Sequence, residues 1–266
     1  MQASFFLRLD LFDVAVDGRS RLTSPETTEF PLMRPSVLAV SIVLCSVLAN
    51  GCSKDISRAT AATVLSVKGP IVFGNADRNT FEPVTLKSRI HDGDTVRSAN
   101  GASLDLALIP GALVRLSGDS EIKIEQLSIT KDGNETGLDM RDRNAHILLN
   151  RGKIFVLFSP SDTSVSQVVI KAGQLMIKPD SDCLFCVGTD GTTTRVTCSQ
   201  GNINASAEAH APVTIAAGYF QQWPTTRRQP GLATDDTDAQ IDITSSLEAG
   251  ARLQDEMSRL QDRRPF

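Results

Sequence analysis

Length, charge and aromatic content exclude several classes of protein. The chain has 266 residues with 27 Lys and Arg against 31 Asp and Glu, so its formal net charge at pH 7 is −4. The signs are interleaved along the sequence, whereas a protein that binds nucleic acid needs a basic face; we expect no nucleic-acid partner. A single Trp and a single Tyr also argue against a carbohydrate site built on stacked aromatic rings.

Residues 1–32 mix charged and apolar residues and end in a stretch rich in Ser, Thr and Pro. They precede a segment, 33–51, that has the order of an export signal. Because the export machinery reads the N-terminus, such a signal should not follow 32 residues of mixed charge. We therefore interpret 1–32 as a mis-assigned gene start, with a genuine disordered extension as the alternative.

Residues 33–51 have the layout of a secretory signal peptide. Arg34 supplies a basic start, the run 37–48 contains no charged residue, and small residues then precede Cys52. A basic end, an apolar stretch of roughly 7–15 residues and a small-residue cleavage site are what a signal peptide needs. The segment is marginal as a membrane span, which takes about 20 apolar residues. We therefore expect everything after this segment to be extracytoplasmic.

The end of this segment resembles the cleavage site of a lipoprotein signal. The resemblance rests on Leu48, Ala49, Gly51 and Cys52, and Asn50 departs from it. It implies that the Cys52 sulfur receives diacylglycerol. Each buried methylene contributes about 0.8 kcal/mol, so two or more acyl chains hold a protein at a membrane almost permanently. Cys52 is thus the expected lipid attachment site; an uncleaved N-terminal membrane anchor, a signal cut elsewhere and a buried helix are the alternatives.

Residues 61–223, after a tether at 52–60, alternate apolar and polar residues with a period of two. Three leucines in 103–108 share one face, and two isoleucines alternate with charged residues in 121–125. Turn signals containing Gly, Pro, Asn or Asp recur roughly every ten residues, as in sandwiches and barrels. This pattern predicts an all-β domain, either an antiparallel sandwich or roll or a short β-solenoid.

Several segments of this domain resemble the FecR domain family. Residues 61–72 are similar to its opening strand pair and 86–96 to the segment in which a Gly-Asp turn leads into a Thr-rich strand. The further similar segments follow in the family's order: 101–124, 150–158, 194–203 and 211–220. In the best-known members a cytoplasmic anti-sigma segment and a membrane helix precede a periplasmic β-domain that relays a siderophore-receptor signal. We find nothing similar to the anti-sigma segment before residue 33, so the resemblance implies an extracytoplasmic interaction or sensory module.

The C-terminal part changes character after the β-domain. Residues 224–245 are rich in Thr, Pro, Arg and Asp and are predicted to be a linker. Residues 246–264 are predicted to form a short helix, because Leu253, Met257 and Leu260 follow helical spacing. This helix either packs on the β-domain, frays in solvent, or binds a partner or a second copy.

Three cysteines remain in the mature body. If Asp190 and Gly191 form a two-residue hairpin turn, Cys183 lies directly opposite Cys198 and a disulfide is available in an oxidising compartment. It would close a loop of about 15 residues and stabilise the fold by about 3 kcal/mol. The pair falls on a hydrogen-bonded position, which is less favourable for a bridge, although a bulge would alter this. The alternative is that both are reduced and packed as small apolar residues. A Cys-x-x-C pair with Cys186 would point to opposite faces of a strand, which disfavours zinc binding or thioredoxin chemistry.

We find no pattern that indicates catalysis, a metal or a cofactor. His91, His146 and His210 form no metal-spaced pair, and the aspartates in 92–94 are typical of a turn. No nucleophile elbow and no phosphate-binding loop is present in the sequence. We therefore expect a non-enzymatic module without a cofactor, although an envelope hydrolase with unmarked carboxylates is an open alternative.

The sequence as a whole predicts a lipid-anchored, extracytoplasmic FecR-like module of the bacterial cell envelope, in the periplasm, at the outer membrane or at the cell surface. Its partner would be an unidentified envelope protein or polymer, and lipid at Cys52 would hold it to the membrane. The alternative is a FecR-type regulator of a sigma factor in a transmembrane relay, in which 33–51 stays uncleaved as a membrane helix.

Overall fold

A computed structural model describes residues 56–131, 140–160, 165–207, 211–225 and 229–262. The chain divides into two compact units, Met1–Cys52 and Ser53–Phe266, and all described residues belong to the second. The predictions for the N-terminal segment, including the one for Cys52, therefore lie outside the described residues. So does His210.

The described part of the second unit is built mainly of strands, as the period-two pattern predicts. The first nine strands are β1 Ile56–Ala59, β2 Ala62–Lys68, β3 Ile71–Asn75, β4 Thr80–Pro83, β5 Arg89–Ile90, β6 Thr95–Ser98, β7 Ser103–Ile109, β8 Ala112–Leu116 and β9 Glu121–Lys131. The others are β10 Met140–Phe158, β11 Val165–Ala172, β12 Leu175–Pro179, β13 Cys183–Thr189, β14 Thr194–Gln200, β15 Asn202–Ala207, β16 Val213–Ala216, β17 Tyr219–Trp223 and β18 Gly231–Leu232.

These strands form two sheets that share β10. Sheet A has the order β4-β3-β6-β9-β10-β11-β12-β15-β16, and β1 pairs with the C-terminal part of β9 beside β6. Sheet B has the order β5-β2-β7-β8-β10-β13-β14-β17-β18. All of these pairings are antiparallel except β10 with β11, which is parallel.

Strand β10 joins the sheets because it changes neighbours along its length. Residues 142–151 pair with β9 in sheet A, and 152–158 pair with β8 and β13 in sheet B. Gly152 lies at the change, with φ of 87°. A Cβ there would come 2.2 Å from Ser120 Oγ, so only glycine fits this crossing.

One apolar core fills the space between the two sheets. Leu104, Leu106, Ile122 and Ile124 are fully buried in it, as their alternation with polar residues predicts. Side chains from both sheets belong to this single cluster, which is how two packed sheets make a sandwich. The all-β prediction is confirmed, in the form of a sandwich that contains one parallel strand pair.

The C-terminal helix is longer than the sequence predicts. Helix α1 is Thr237–Asp262, and a 3₁₀ turn, Ala233–Asp235, lies just before it. The predicted linker 224–245 is therefore partly helical. The Asp236 carboxylate accepts a hydrogen bond from the Ala239 backbone N–H at 2.9 Å, which caps the helix start. Polar composition, which resembles that of a linker, conceals this start. Within the described ranges, no helix combines the length and apolar character needed to cross a bilayer.

Candidate interaction surfaces

The outer face of sheet B is covered by α1. Leu253 and Met257 of the helix pack against Leu113, Leu157 and Leu184, which project from three adjacent strands away from the central core. Leu253 is 0% exposed. The helix thus closes a second, smaller core on the outside of the sandwich.

The helix makes further apolar contacts along its length. Two additional clusters join it to sheet B and to the 3₁₀ turn; their buried members are Phe155, Cys186 and Ala249 in one, and Phe220, Ala233 and Ala239 in the other. A Cβ at Gly250 would lie 2.5 Å from Leu184 Cδ2, so this glycine lets the helix approach the sheet closely. The contacts run from β17 at the helix start to β8 near its end.

A buried ion pair also fixes the helix. Lys153 Nζ of β10 donates a hydrogen bond to Asp242 Oδ1, and the Asp242 side chain is 5% exposed. Thr197 Oγ1 donates to Asp242 Oδ2 at 3.4 Å, and Ser246 Oγ donates to the Asp242 backbone oxygen at 2.6 Å. Burial lowers the pKa of Lys153, but the hydrogen bond and charge of Asp242 outweigh this effect and the pKa is raised overall. Asp242 is thus a buried carboxylate that depends on one lysine for its neutralising charge.

Arg195 of β14 holds the start of the helix. Its Nη1 lies 3.1 Å from Asp238 Oδ2 and 3.6 Å from Asp236 Oδ1. Its Nη2 donates a hydrogen bond to Gln222 Oε1 at 3.1 Å, and the guanidinium stands 5.8 Å from the centre of the Phe220 ring. The N-terminal half of the helix therefore has charged contacts with the sheet in addition to its apolar contact at Ala239.

A cleft of about 730 Å³ opens beside the helix on this face. Its lining includes Lys153, Gly188, Arg195, Asp242, Glu248 and Arg252. Both its lysine and Arg195 are paired with carboxylates of α1 or the residue before it. In the part of the chain that the structure describes, no group of three or more His, Cys, Asp or Glu side chains could hold a metal ion. The cleft is thus a polar groove formed by the helix attachment.

No helix among the described residues covers the outer face of sheet A, which is mainly polar. We define its basic face by the outward side chains Arg97, Lys123, Lys171 and Lys178 together with Glu121 and Glu125. These residues lie on β6, β9, β11 and β12, and those on β9, β11 and β12 alternate with residues buried in the central core. Ion pairs join Arg97 to Glu121 and Lys171 to Glu125, each at 2.8 Å.

Strand register places the basic face in rows across the sheet. Lys123 pairs with Leu148, Leu148 with Lys171, and Lys171 with Met176. His146 lies one row away on β10. Its pKa is lowered by burial first and then by the positive charges of Lys171 and Lys178, against the opposing charge of Glu125. Burial is therefore the main cause of the lowered pKa, and the two lysines add to it.

The strand register that would place Cys183 directly opposite Cys198 is wrong, whereas the disulfide itself is not tested. Thr189 pairs with Thr194, so the turn contains four residues, and a bulge follows near Leu184. Cys198 consequently lies opposite Phe185, and Cys183 contacts Gly201 instead. The hairpin is wider than expected because the Asp190 carboxylate accepts hydrogen bonds from the backbone N–H groups of residues 192 and 193.

All three cysteines of the body are buried and carry thiols in this structure. Cys183 and Cys198 belong to the central core, whereas Cys186 faces α1. Burial raises the pKa of all three thiols, that of Cys198 to about 11. A disulfide between Cys183 and Cys198 remains a prediction, although the two residues are not directly opposite each other in the strand pair. Counting thiols in denatured protein, with and without reductant, tests this prediction.

The turn at 92–94 has the structural role that its composition predicts. Asp92 Oδ1 accepts a hydrogen bond from the Leu127 backbone N–H at 2.6 Å, and Asp94 Oδ2 accepts one from the His91 N–H at 2.8 Å.

The sequence did not lead us to predict either the Lys153–Asp242 pair or the basic face. The basic face could have been predicted from the lysines that alternate with apolar residues in β9, β11 and β12. The contact between Lys153 and Asp242 could not be predicted, because no local sequence pattern relates two residues so far apart in the chain.

Comparisons with known proteins bear on the same β-domain. Residues 94–204 match the family model described as FecR protein. Two crystal structures, at 1.65 Å and 2.50 Å, of "a putative anti-sigma factor from Parabacteroides distasonis ATCC 8503" each match with 12% identity and a TM-score of 0.36. Each match covers 52% of this chain and 57% of the other, so the chain spans little more than half of their length. No curated protein matches the sequence. Residues 94–204 of this chain are thus similar to the FecR family.

Proposed function

We propose that this chain is a lipid-anchored, extracytoplasmic module that binds another component of the bacterial cell envelope and serves in FecR-type signalling without catalysing a reaction. The observation that carries the proposal is the FecR domain at 94–204, since FecR proteins are regulators rather than typical enzymes. The partner is an envelope protein or polymer. The polar outer face of sheet A and the groove beside α1 are the surfaces open to it.

The anchor is the part of the proposal that distinguishes it from other FecR-type arrangements. It rests on the signal-like segment 33–51 and on Cys52. Lipid on this cysteine would hold the β-domain at a membrane surface without a cytoplasmic module, since acyl chains alone give nearly permanent attachment. A signal would then reach this protein and leave it on the same side of the membrane.

Metabolic labelling with palmitate tests the anchor directly. We expect the chain, expressed in a bacterium from a start at Met33, to incorporate label and to lose it in Cys52→Ala. Cys45→Ala is the matched control, because residue 45 lies in the apolar run that cleavage removes. Label that persists in Cys52→Ala, or an unlabelled wild-type chain, would contradict the proposal.

A transmembrane relay is the second candidate, favoured by the same FecR match. It requires 33–51 to remain uncleaved as a membrane helix. The intact mass of the envelope-bound chain separates the two: the lipoprotein starts at Cys52 and carries acyl mass, whereas the relay protein retains the apolar run. Cross-linking in native envelopes, followed by identification of the captured component, then names the partner of either form.

A further inference from the structure

We propose that the basic face of sheet A docks onto an anionic lipid surface, so that the β-domain lies against the membrane to which it is anchored. This inference rests on the proposed lipid at Cys52. It specifies which side of the sandwich faces the bilayer, and it leaves the helix-covered side available to a protein partner.

Charge is distributed unevenly between the two sides of the sandwich. The basic face has four cationic side chains against two carboxylates, although the chain as a whole has a net charge of −4. Across the described ranges, Lys123 and Lys178 make no ion pair. Helix α1, on sheet B, carries six carboxylates against two arginines. An anionic surface would therefore attract the sheet A side and repel the helix side.

Apolar side chains lie among the cations of the basic face. The row Lys123, Leu148, Lys171, Met176 alternates cationic and apolar residues across four adjacent strands. Neighbouring strands lie about 4.8 Å apart, so Lys123 and Lys171 stand about 10 Å apart. Flexible lysine stems can place their ammonium groups at lipid phosphates while apolar side chains contact the headgroup region.

The tether between Cys52 and the first strand is short. Three residues, 53–55, separate Cys52 from the first residue of β1. At full extension they place β1 within about 14 Å of the anchored cysteine. Strand β1 pairs with β9 in sheet A, so the sheet that bears the basic face is also the one joined to the anchor. This proximity favours lipid over an acidic protein as the occupant.

Lysine acetylation of the lipidated protein on vesicles tests the proposal. The mature lipoprotein is placed on vesicles of phosphatidylcholine alone or of phosphatidylcholine with an equal amount of phosphatidylglycerol, at low salt, and acetylation rates are read by mass spectrometry. On anionic vesicles we expect Lys123, Lys171 and Lys178 to be acetylated at most about one fifth as fast as on neutral vesicles. Neutral vesicles should give no protection. The exposed Lys68 and Lys87 are internal references.

Charge reversal adds a matched pair of variants. In Lys123→Glu/Lys178→Glu the protection of Lys171 should be lost, since each basic residue near an anionic surface favours binding by about fivefold and both lysines are removed. Lys68→Glu/Lys87→Glu changes the same net charge elsewhere and should leave Lys171 protected. High salt should remove the protection in the wild type.

The outcomes separate this inference from the proposed function. Protein that floats with both kinds of vesicle, with lysines equally reactive on each, would overturn the docking and leave the anchor intact. Protein that does not float with vesicles would overturn the anchor and the docking together. Lysines that are protected in native envelopes and reactive on anionic vesicles would show that a macromolecule other than lipid covers the face, which also overturns the inference.

Discussion

The outer faces of the two sheets differ in burial, because α1 covers sheet B and the outer face of sheet A is exposed. In β13 of sheet B the burial of side chains is nearly continuous, because Leu184 and Cys186 point outward and are covered by α1. In β12 of sheet A buried residues alternate with the exposed Met176 and Lys178. A strand with apolar residues on both faces therefore indicates a covered sheet, and strict alternation indicates an open one.

The sharpest test of how the two sheets are joined is Gly152→Ala. The added Cβ would meet Ser120 and would stand at a φ of 87°. Strain of about 1–3 kcal/mol and overpacking of about 1–3 kcal/mol lead us to expect about 4 kcal/mol of lost stability, measured by urea unfolding. Gly191→Ala is the control, with a similar φ of 93° and nothing within 4 Å; we expect about 1 kcal/mol. Equal losses in both variants would contradict the crowded crossing.

Truncation of one leucine on each outer face compares the faces directly. Leu253→Ala removes a fully buried side chain from the helix contact and should cost about 3 kcal/mol. Leu148→Ala on the half-buried sheet A face should cost about 1 kcal/mol or less, because the site is open to solvent. Urea unfolding measures both. A loss for Leu148→Ala as large as that for Leu253→Ala would mean that sheet A is covered as well.

Removal of one lysine from each face compares the ion pairs. Lys153→Met leaves the buried Asp242 carboxylate without its cation and should cost about 2 kcal/mol, less than for a fully buried pair because the lysine side chain is 37% exposed. Lys171→Met breaks a surface pair and should cost at most about 0.5 kcal/mol. The measurement is again the free energy of unfolding.

The pH dependence of the Lys153 pair has a definite sign. The folded-state pKa of Lys153 is raised above 10.5, so its contribution to stability is fully present below pH 10.5 and is lost as the pH rises through the folded value. The stability gap between wild type and Lys153→Met should therefore narrow in that alkaline range. A gap that widens there would contradict the assignment.

The smallest effect is expected at His146. Its folded pKa lies below 6.5, so the unfolded chain binds this proton more readily and the fold loses stability as the pH falls from 6.5 through the folded value. His146→Asn should reduce that part of the acid-side loss, measured as the change in unfolding free energy between neutral and mildly acidic pH. An unchanged slope would show that folding does not lower the pKa of this histidine.

Local sequence was a good guide to the central core and a poor one to strand register near the cysteines. The leucines of 103–108 are buried as expected, because side-chain direction in a strand depends only on position along that strand. The predicted register, with Cys183 directly opposite Cys198, was wrong because the prediction assumed a two-residue turn and no bulge. Hydrogen bonds to Asp190 make the turn wider, and the bulge at Leu184 shifts the remaining partners.

The C-terminal helix was also only partly predictable from local sequence. Its apolar stripe at Leu253, Met257 and Leu260 was visible in the sequence, but its start was not, because the first turns are polar. Those turns are helical because Arg195 and Lys153 supply charges for carboxylates that would otherwise favour a solvated linker. Such partners come from strands far away in the chain.

By itself, the sequence determined that this protein forms strands with an inward and an outward side, because alternation with a period of two is a property of each strand alone. Only the tertiary structure decided which outward side is covered. That choice depends on where residues 237–262 return, and on the matching of Asp242 with Lys153 and of Leu253 with Leu184 across long separations in the chain. Contacts of this kind carry no local pattern, so the alternation in each strand indicates that sheet B is covered, but only the assembled sheets show that residues 237–262 cover it.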